Sequence, residues 1–239
     1  MEGGMAAAKG KPKQMQLQLP TWGGRRKRKR RRTRGERRKL GKVPHRRRPA
    51  LSAKHPVLVT WRMLPHVWNL RSQRCFSRLV ECFERGRDRF GFRLVHFSVQ
   101  GNHLHLIVEA VDERALARGM QGLGVRVAKA LNRLMGRKGT VFADHYHARQ
   151  LHSPTQVANA ITYVLLNFAH HFPDEARRVD DLRDRFSSAW RDRGRDPPVV
   201  PARTWLLRVG WRMRADERIV MLVDAAAPPV VATAVVRAA

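Results

Sequence analysis

Between residues 56 and 171 the chain switches between two hydrophobic periods. Four runs have alternating character and are rich in β-branched and aromatic side chains, a pattern typical of strands. They cover Pro56–Met63, Phe92–Val99, His103–Glu109 and Thr140–Leu151. Three longer runs repeat apolar residues at helical spacing. They cover Ser72 to about Arg89, Asp112 to about Met135, and Ser153 to about His171.

Turn and capping residues support this order of elements. Gly91 is expected to end the first helix, and Gln100-Gly101-Asn102 predicts a hairpin between the second and third strands. Ser153 and Pro154 are suited to the start of the last helix. The order β-α-β-β-α-β-α predicts an α+β fold of the split βαβ (ferredoxin- or RRM-like) type. In this fold an antiparallel sheet has helices packed on one face, and the other face is free to carry a site.

Beyond Pro173 the pattern is weaker. Asp174–Arg195 reads as a charged helical or irregular stretch, after which Asp196-Pro197-Pro198 interrupts the chain. Apolar residues from Trp205 to Trp211 suggest one more packed element. The final stretch, rich in Ala, Val and Pro, is compatible either with disorder or with docking on the body.

Charge changes the picture at the N-terminus. The chain has 49 Lys and Arg residues against 19 Asp and Glu, a formal net charge of +30. About half of this excess lies between Arg25 and Arg48, where Glu36 is the single acidic residue. Such a block repels itself and buries little apolar surface, so residues 1–52 are predicted to be a disordered arm.

A dense arginine run also predicts a polyanionic partner. Arginine pairs with phosphate bidentately, so we expect this arm to contact nucleic acid without reading its sequence. A solvated or targeting tail is the alternative. The basic residues expected to contact nucleic acid begin with Arg25, Arg26, Lys27, Arg28, Lys29, Arg30, Arg31 and Arg32.

These features divide the chain into three parts: the arm at 1–52, a catalytic domain at 53–172 and a partly helical C-terminal extension at 173–239. No segment has the roughly 20 apolar residues needed to span a bilayer, and no apolar run follows the N-terminal charges. We therefore expect no membrane partner, and a cytoplasmic, nucleoid-associated bacterial protein. Cys75 and Cys82 lie seven residues apart on a predicted helix, too far for a disulfide, and indicate reduced core thiols.

Two histidines stand out in the third predicted strand. His103 and His105 flank Leu104, and residues two apart on a strand point to the same face. Both imidazoles should therefore project together, while Leu104 and Leu106 point to the opposite face. Such a pair suits a divalent metal, although a purely structural role is the alternative.

The last predicted helix carries a second polar feature beside its apolar stripe. Tyr163 and Asn167 are four residues apart, which makes them neighbours on one helix face. The alternative is a border tyrosine whose hydroxyl is in water. If strand and helix meet, His103, His105 and the Asn167 carbonyl oxygen form a mixed nitrogen and oxygen site suited to Mg²⁺ or Mn²⁺. A bound ion would polarise a phosphate that Tyr163 attacks, giving a phosphotyrosine link and a free hydroxyl.

These residues resemble those of a known family. The run QGNHLHLIVEA resembles the HUH strand of single-tyrosine transposases, and TYVLLN resembles their Tyr-x-x-x-Asn/Gln helix. VFADHYHAR is similar to the preceding strand of the family, and FSSAW at 186–190 is a looser likeness. The resemblance covers about Lys54 to His171 and is greatest to the REP-associated tyrosine transposases. The chain departs from it at Phe168, where many relatives have proline.

The resemblance implies an RRM-like palm that recognises single-stranded DNA or hairpin ends and cleaves to leave a 5′-phosphotyrosine. It makes His103, His105 and Asn167 the metal ligands and Tyr163 the nucleophile. It leaves open whether the active unit is a monomer or a homodimer, and whether the protein still moves DNA or serves its host.

Two further groups are weighed against this site. Tyr146 is the second of only two tyrosines and lies in Asp144-His145-Tyr146-His147, whose histidines form a rival metal site or line a DNA path. Tyr146 should face away from both histidines if the strand is regular. Asp144 is suited to orienting a histidine. Glu109 shares the parity of His105 and lies either near the metal or at the surface.

Two other functions remain as alternatives. A non-catalytic, domesticated DNA- or RNA-binding protein on the same fold would explain the charge but does not need His103, His105, Tyr163 and Asn167 together. A nuclease or phosphatase that activates water usually gathers several carboxylates around its metals. The acidic residues of this chain are scattered instead.

Overall fold

The computed structural model describes residues 50–167, 184–190 and 198–226. The predicted arm with its basic cluster Arg25–Arg32, and any helix beyond Asn167, lie outside the described residues. Five strands are described: β1 Val57–Arg62, β2 Asp88–Arg89, β3 Phe92–Val99, β4 His103–Ala110 and β5 His147–Gln150. The helices are α1 Gln73–Gly86, α2 Glu113–Leu134, α3 Pro154–Leu165, α4 Trp205–Arg208 and α5 Glu217–Ala226, with a 3₁₀ turn at Gly210–Arg214.

The strands form one antiparallel sheet in the order β2-β3-β4-β1-β5. β4 lies between β1 and β3, so the crossover through α1 skips one strand, as in a split βαβ unit. The predicted α+β fold class is confirmed, and the first three predicted strands are found within one residue of their expected bounds.

The first face of the sheet packs against α1 and α2 around a core that includes Val59, Phe83, Leu106 and Met120. Helix α1 starts at Ser72, whose hydroxyl accepts a hydrogen bond from the Cys75 amide. Asp112 caps α2 in the same way, through the amide of Ala115. Both crossover helices therefore lie on one face, as predicted.

The second face is not free, contrary to the expectation from the sequence. Leu58, Val95 and Ile107 point to this side and form a second core with α3 and the C-terminal elements. Trp211 and Leu222 from those elements are completely or almost completely buried. The packed element predicted around Trp211 is thus a layer on the sheet, because three strands supply apolar side chains on that face too.

Two predicted boundaries were wrong for local reasons. α1 ends at Gly86 rather than near Gly91, because Asp88–Arg89 pairs with the start of β3 through a tight turn. Phe90 and Gly91 in that turn both have positive φ, as a primed two-residue hairpin turn requires. The strand predicted at Thr140–Leu151 is interrupted: Phe142 forms a bridge with Met63, and pairing resumes only in β5. Between them the Asp144 carboxylate accepts a hydrogen bond from the His145 amide, a local bond that competes with pairing between strands.

The outer edge of β3 is covered by later parts of the chain. The Val99 amide donates to the carbonyl of Phe186, and the Ser188 amide donates to that of Phe97. The stretch at 186–190 therefore extends the sheet beyond β3 and protects an edge that could pair with other chains.

The cysteines match their prediction. Cys75 and Cys82 are both buried and free, and burial raises the pKa of the Cys82 thiol to about 11. Among the described helices, none combines the length and the apolar character needed to cross a bilayer.

Candidate active site

The two histidines of β4 face the same side of the sheet, as predicted. The His103 and His105 rings meet edge to face with centroids 4.6 Å apart. Leu104 and Leu106 are fully buried in the core on the opposite face. His105 is only 2% exposed, whereas His103 is partly exposed at the end of the strand.

Each imidazole is held through its Nδ1 atom. Nδ1 of His103 lies 2.8 Å from Oδ1 of Asn102, and an amide oxygen only accepts, so this nitrogen carries the proton. Nδ1 of His105 lies 3.2 Å from the hydroxyl of Thr60, which is directly opposite on β1. A ring that donates through Nδ1 carries its lone pair on Nε2, the atom through which a neutral imidazole binds a cation.

The electrostatics of His105 favour the neutral ring. Burial, and then the neighbouring His103, lower the pKa of His105 to about 3. The imidazole is therefore uncharged at neutral pH, which is the form that binds metal. Such a low pKa also makes it a weak proton acceptor.

Tyr163 reaches this pair from the layer above the sheet. α3 starts at Ser153, whose hydroxyl accepts from the Gln156 amide, and its apolar residues pack on β3 and β4. Three turns later the phenol oxygen of Tyr163 lies 3.3 Å from Nε2 of His105. The two rings are edge to face at 4.8 Å, and burial raises the pKa of the phenol. The predicted meeting of strand and helix thus holds for the tyrosine.

Asn167 follows the end of this helix. α3 ends at Leu165, and the Leu166 amide still donates to the carbonyl of Thr162. Asn167 is 5% exposed, so its amide group is buried. In the part of the chain that is described, no hydrogen bond joins it to His103 or His105, and its role as third ligand stays a prediction.

The rival cluster is divided between the core and the surface. Tyr146 points away from its neighbours and packs edge to face on Trp61 on the first face, while His145 and His147 are exposed. Asp144 caps the His145 amide, and its carbonyl accepts from the indole of Trp61. Within residues 50–167, 184–190 and 198–226, no group of three or more His, Cys, Asp or Glu could hold a metal.

Glu109 has neither of the roles considered for it. Its side chain is 4% exposed and accepts hydrogen bonds from the backbone amides of Arg203 and Thr204, at 2.7 to 3.0 Å. It joins the C-terminal layer to the end of β4.

Thr60 and Asn102 were missed at the sequence level. Asn102 precedes His103 directly, so its proximity could have been found. Thr60 is 45 residues from His105, and only the register of β1 on β4 brings the two together.

The chain is similar to known proteins in structure rather than in sequence. No family model and no curated protein matches the chain. Among solved structures, the chain is similar to a REP-associated tyrosine transposase bound to a REP hairpin, with 15% identity over 67% of this chain and 93% of that one, and a TM-score of 0.46. It is also similar to a Deinococcus radiodurans R1 protein assigned as a transposase, with 12% identity over 56% and 96% and a TM-score of 0.35. At these scores neither likeness supports a conclusion about activity.

Proposed function

We propose that this protein is an HUH-type single-tyrosine transposase, a metal-dependent enzyme that nicks and rejoins single-stranded DNA through a 5′-phosphotyrosine intermediate. The observation that carries this proposal is the position of the Tyr163 hydroxyl, 3.3 Å from Nε2 of His105 and on the same face as His103. A phosphate next to both imidazoles would be within reach of the phenol.

The donor set fits a divalent cation. The two imidazoles lie on one strand face, His105 in its neutral form, and the buried amide of Asn167 is the proposed oxygen donor. Mixed nitrogen and oxygen ligands suit Mg²⁺ or Mn²⁺. A bound ion would polarise the scissile phosphate and offset the negative charge that develops on it.

The chain's own residues supply orientation and the nucleophile. α3 fixes the phenol over the sheet, and Thr60 and Asn102 fix the two rings. The Tyr163 oxygen forms a bond to phosphorus while the bond from phosphorus to the 3′ oxygen breaks. The phenol proton is lost to solvent and the leaving 3′ oxygen gains one. The reverse reaction with another 3′-hydroxyl rejoins strands without ATP.

Positive charge in the chain fits a DNA partner. The net charge of +30 predicts strong attraction to phosphate, and we infer that the partner is single-stranded or hairpin DNA. A homodimer would be compatible with this site, as would a monomer. We place the protein with the bacterial nucleoid, as expected for an enzyme that acts on DNA.

The test is formation of a covalent adduct with a labelled single-stranded oligonucleotide, resolved on a denaturing gel. Wild type should form the adduct with Mg²⁺ or Mn²⁺ and lose it with a chelator. Tyr163→Phe should form none and still bind DNA, because it loses one hydroxyl and keeps the ring. Tyr146→Phe is the matched control, since it removes the other tyrosine hydroxyl on the opposite side of the sheet.

Other results would select the alternatives. Free 5′-phosphate ends without an adduct would mean hydrolysis by water. A gel shift with neither adduct nor cleavage would mean a non-catalytic DNA- or RNA-binding protein on the same fold. An adduct that persists in Tyr163→Phe and disappears in Tyr146→Phe would show that Tyr146 is the nucleophile.

A further inference from the structure

A cavity of about 690 Å³ opens at the end of β4 that is remote from His103. Its walls come from the residues that precede β1, from the end of β4, from His152 before α3 and from the start of α4. The volume falls within the roughly 300–1,000 Å³ typical of small-ligand sites. The size therefore fits a single small group rather than a protein partner.

The charged residues of the wall leave an excess of positive charge. Lys54, Arg93 and Arg203 line the wall together with the carboxylate of Glu109, and Asp88, which does not line it, lies 3.9 Å from the Arg93 guanidinium. The Glu109 carboxylate is already engaged by the amides of Arg203 and Thr204. Lys54 and the side chain of Arg203 are exposed, and the Arg203 guanidinium approaches Asp88 only at 4.0 Å. The cavity should therefore attract an anion.

Arg93 gives a second, independent indication. Its side chain is 8% exposed, and its Nη2 donates to the carbonyl of Pro201. Its Nε and Nη1 atoms are buried and donate no hydrogen bond within the described residues, although Nε is 3.5 Å from Glu109 and Nη1 is 3.9 Å from Asp88. Buried guanidinium donors are nearly always paired. An acceptor on a bound anion would supply what this group lacks.

Trp205 provides a flat surface beside these cations. Its indole is 57% exposed and lines the cavity. A Cβ at Gly210 would lie 2.6 Å from Cζ3 of that ring, so the absence of a side chain lets the backbone support the indole. An exposed indole held in place next to cationic groups is typical of a platform on which a base stacks.

We propose that this cavity binds one nucleotide of the single-stranded DNA, with its base on Trp205 and its phosphate held by Lys54, Arg93 and Arg203. This rests on the proposed function, because the strand must also reach Tyr163. Glu109 is four residues after His105 on the same strand, about 13 Å away. Helix α3 begins beside the cavity and carries Tyr163 near its other end, and the distance from Pro154 to Tyr163 along it is similar, about 14 Å. The nucleotide would therefore lie a few positions from the cleaved phosphate.

Binding is tested in the full chain carrying Tyr163→Phe, which prevents covalent chemistry. Adding Trp205→Ala should weaken binding of a labelled single-stranded oligonucleotide about tenfold, the effect of one lost stacked base. Trp205→Phe should retain most of the affinity because the ring remains. Trp190→Ala is the matched control, since Trp190 is 45% exposed and does not line the cavity. Deoxyadenosine 5′-monophosphate should compete in the parent chain and not in Trp205→Ala.

A heparin oligosaccharide separates base stacking from general attraction of anions. It should bind Trp205→Ala as tightly as the parent. Unchanged oligonucleotide affinity in Trp205→Ala, or an equal loss for heparin and DNA, would overturn the proposal.

Adduct formation in the chain that keeps Tyr163 distinguishes the two proposals. Trp205→Ala should raise the DNA concentration for half-maximal adduct and leave the rate at saturation unchanged. If wild type forms the adduct and Trp205→Ala binds DNA normally, only the proposal of the nucleotide site is wrong. If Trp205→Ala loses DNA binding and wild type forms no adduct, the nucleotide site is supported and the proposed cleavage reaction is wrong.

Discussion

At the scale of single residues, the proposed site depends on the placement of two histidines and one tyrosine. That His103 and His105 point to the same face of the sheet was predictable, because the alternation of side chains along a strand is a local property. The partner of His105 was not, because the register of β1 on β4 is set by the whole sheet. The distance from Tyr163 to His105 was likewise a hypothesis, since two elements far apart in sequence create it.

Thr60 offers a prediction at this scale. Thr60→Val keeps the shape of the side chain and removes the hydroxyl that holds Nδ1 of His105. We expect Mn²⁺ affinity, measured by calorimetry or by electron paramagnetic resonance, to fall about 10- to 100-fold, as for other partners of metal-binding histidines. Thr60→Ser should restore most of the affinity. Wild-type Mn²⁺ binding by Thr60→Val, with an unchanged melting temperature, would show that the hydroxyl does not position the ring.

At the scale of elements, the prediction from sequence succeeded where the hydrophobic pattern repeats over many residues. It failed where a local side-chain hydrogen bond competes with pairing between strands. The 22-residue helix α2 was found almost to the residue. The strand predicted at Thr140–Leu151 was interrupted, because pairing with β1 lapses around Asp144 between a bridge at Phe142 and β5. The layer on the second face was underestimated, since α3 and the region around Trp211 are recognisable as apolar but their docking surface is not.

Two glycines of α2 test how closely this helix must approach the sheet. A Cβ at Gly119 would lie 2.1 Å from Cγ of Phe92, inside the core. Gly119→Ala should lower the free energy of unfolding by about 1–3 kcal/mol through overpacking, even after the gain in helix propensity. Urea denaturation measures this change.

Gly122 is the matched control on the same helix. A Cβ there meets only the end of the flexible Arg126 side chain, at 3.1 Å. Gly122→Ala should therefore raise the free energy of unfolding by up to about 1 kcal/mol. Equal effects of the two substitutions would contradict the close packing of α2 on β3.

At the scale of the whole molecule, charge and chemistry lie in different parts of the chain. The densest basic run ends at Arg48, whereas the proposed catalytic residues begin at His103. Arg48 is only five residues before Ala53 in the wall of the cationic cavity. We therefore expect the arm to add affinity for any strand, whereas the proposed specificity and chemistry belong to the residues that follow it.

Removal of the arm tests this division. Deleting Arg25–Arg48 should weaken affinity for any DNA and flatten its dependence on salt, because fewer counterions are released on binding. Adduct formation should persist at high protein concentration. Affinities across a salt series, for a target hairpin and for an unrelated strand, measure the effect. A deletion that loses sequence preference while keeping its salt dependence would show that the arm reads sequence.

The central claim is that Tyr163 is the group that becomes joined to DNA, and mass spectrometry of a trypsin-digested adduct tests it most directly. The two tyrosines fall in separate peptides, Tyr146 in Gly139–Arg149 and Tyr163 in Gln150–Arg177. We predict that the Gln150–Arg177 peptide carries the mass of a 5′-phosphorylated nucleotide, and that fragmentation locates it on Tyr163. A nucleotide on Gly139–Arg149, or on any residue other than Tyr163, would contradict the proposed mechanism.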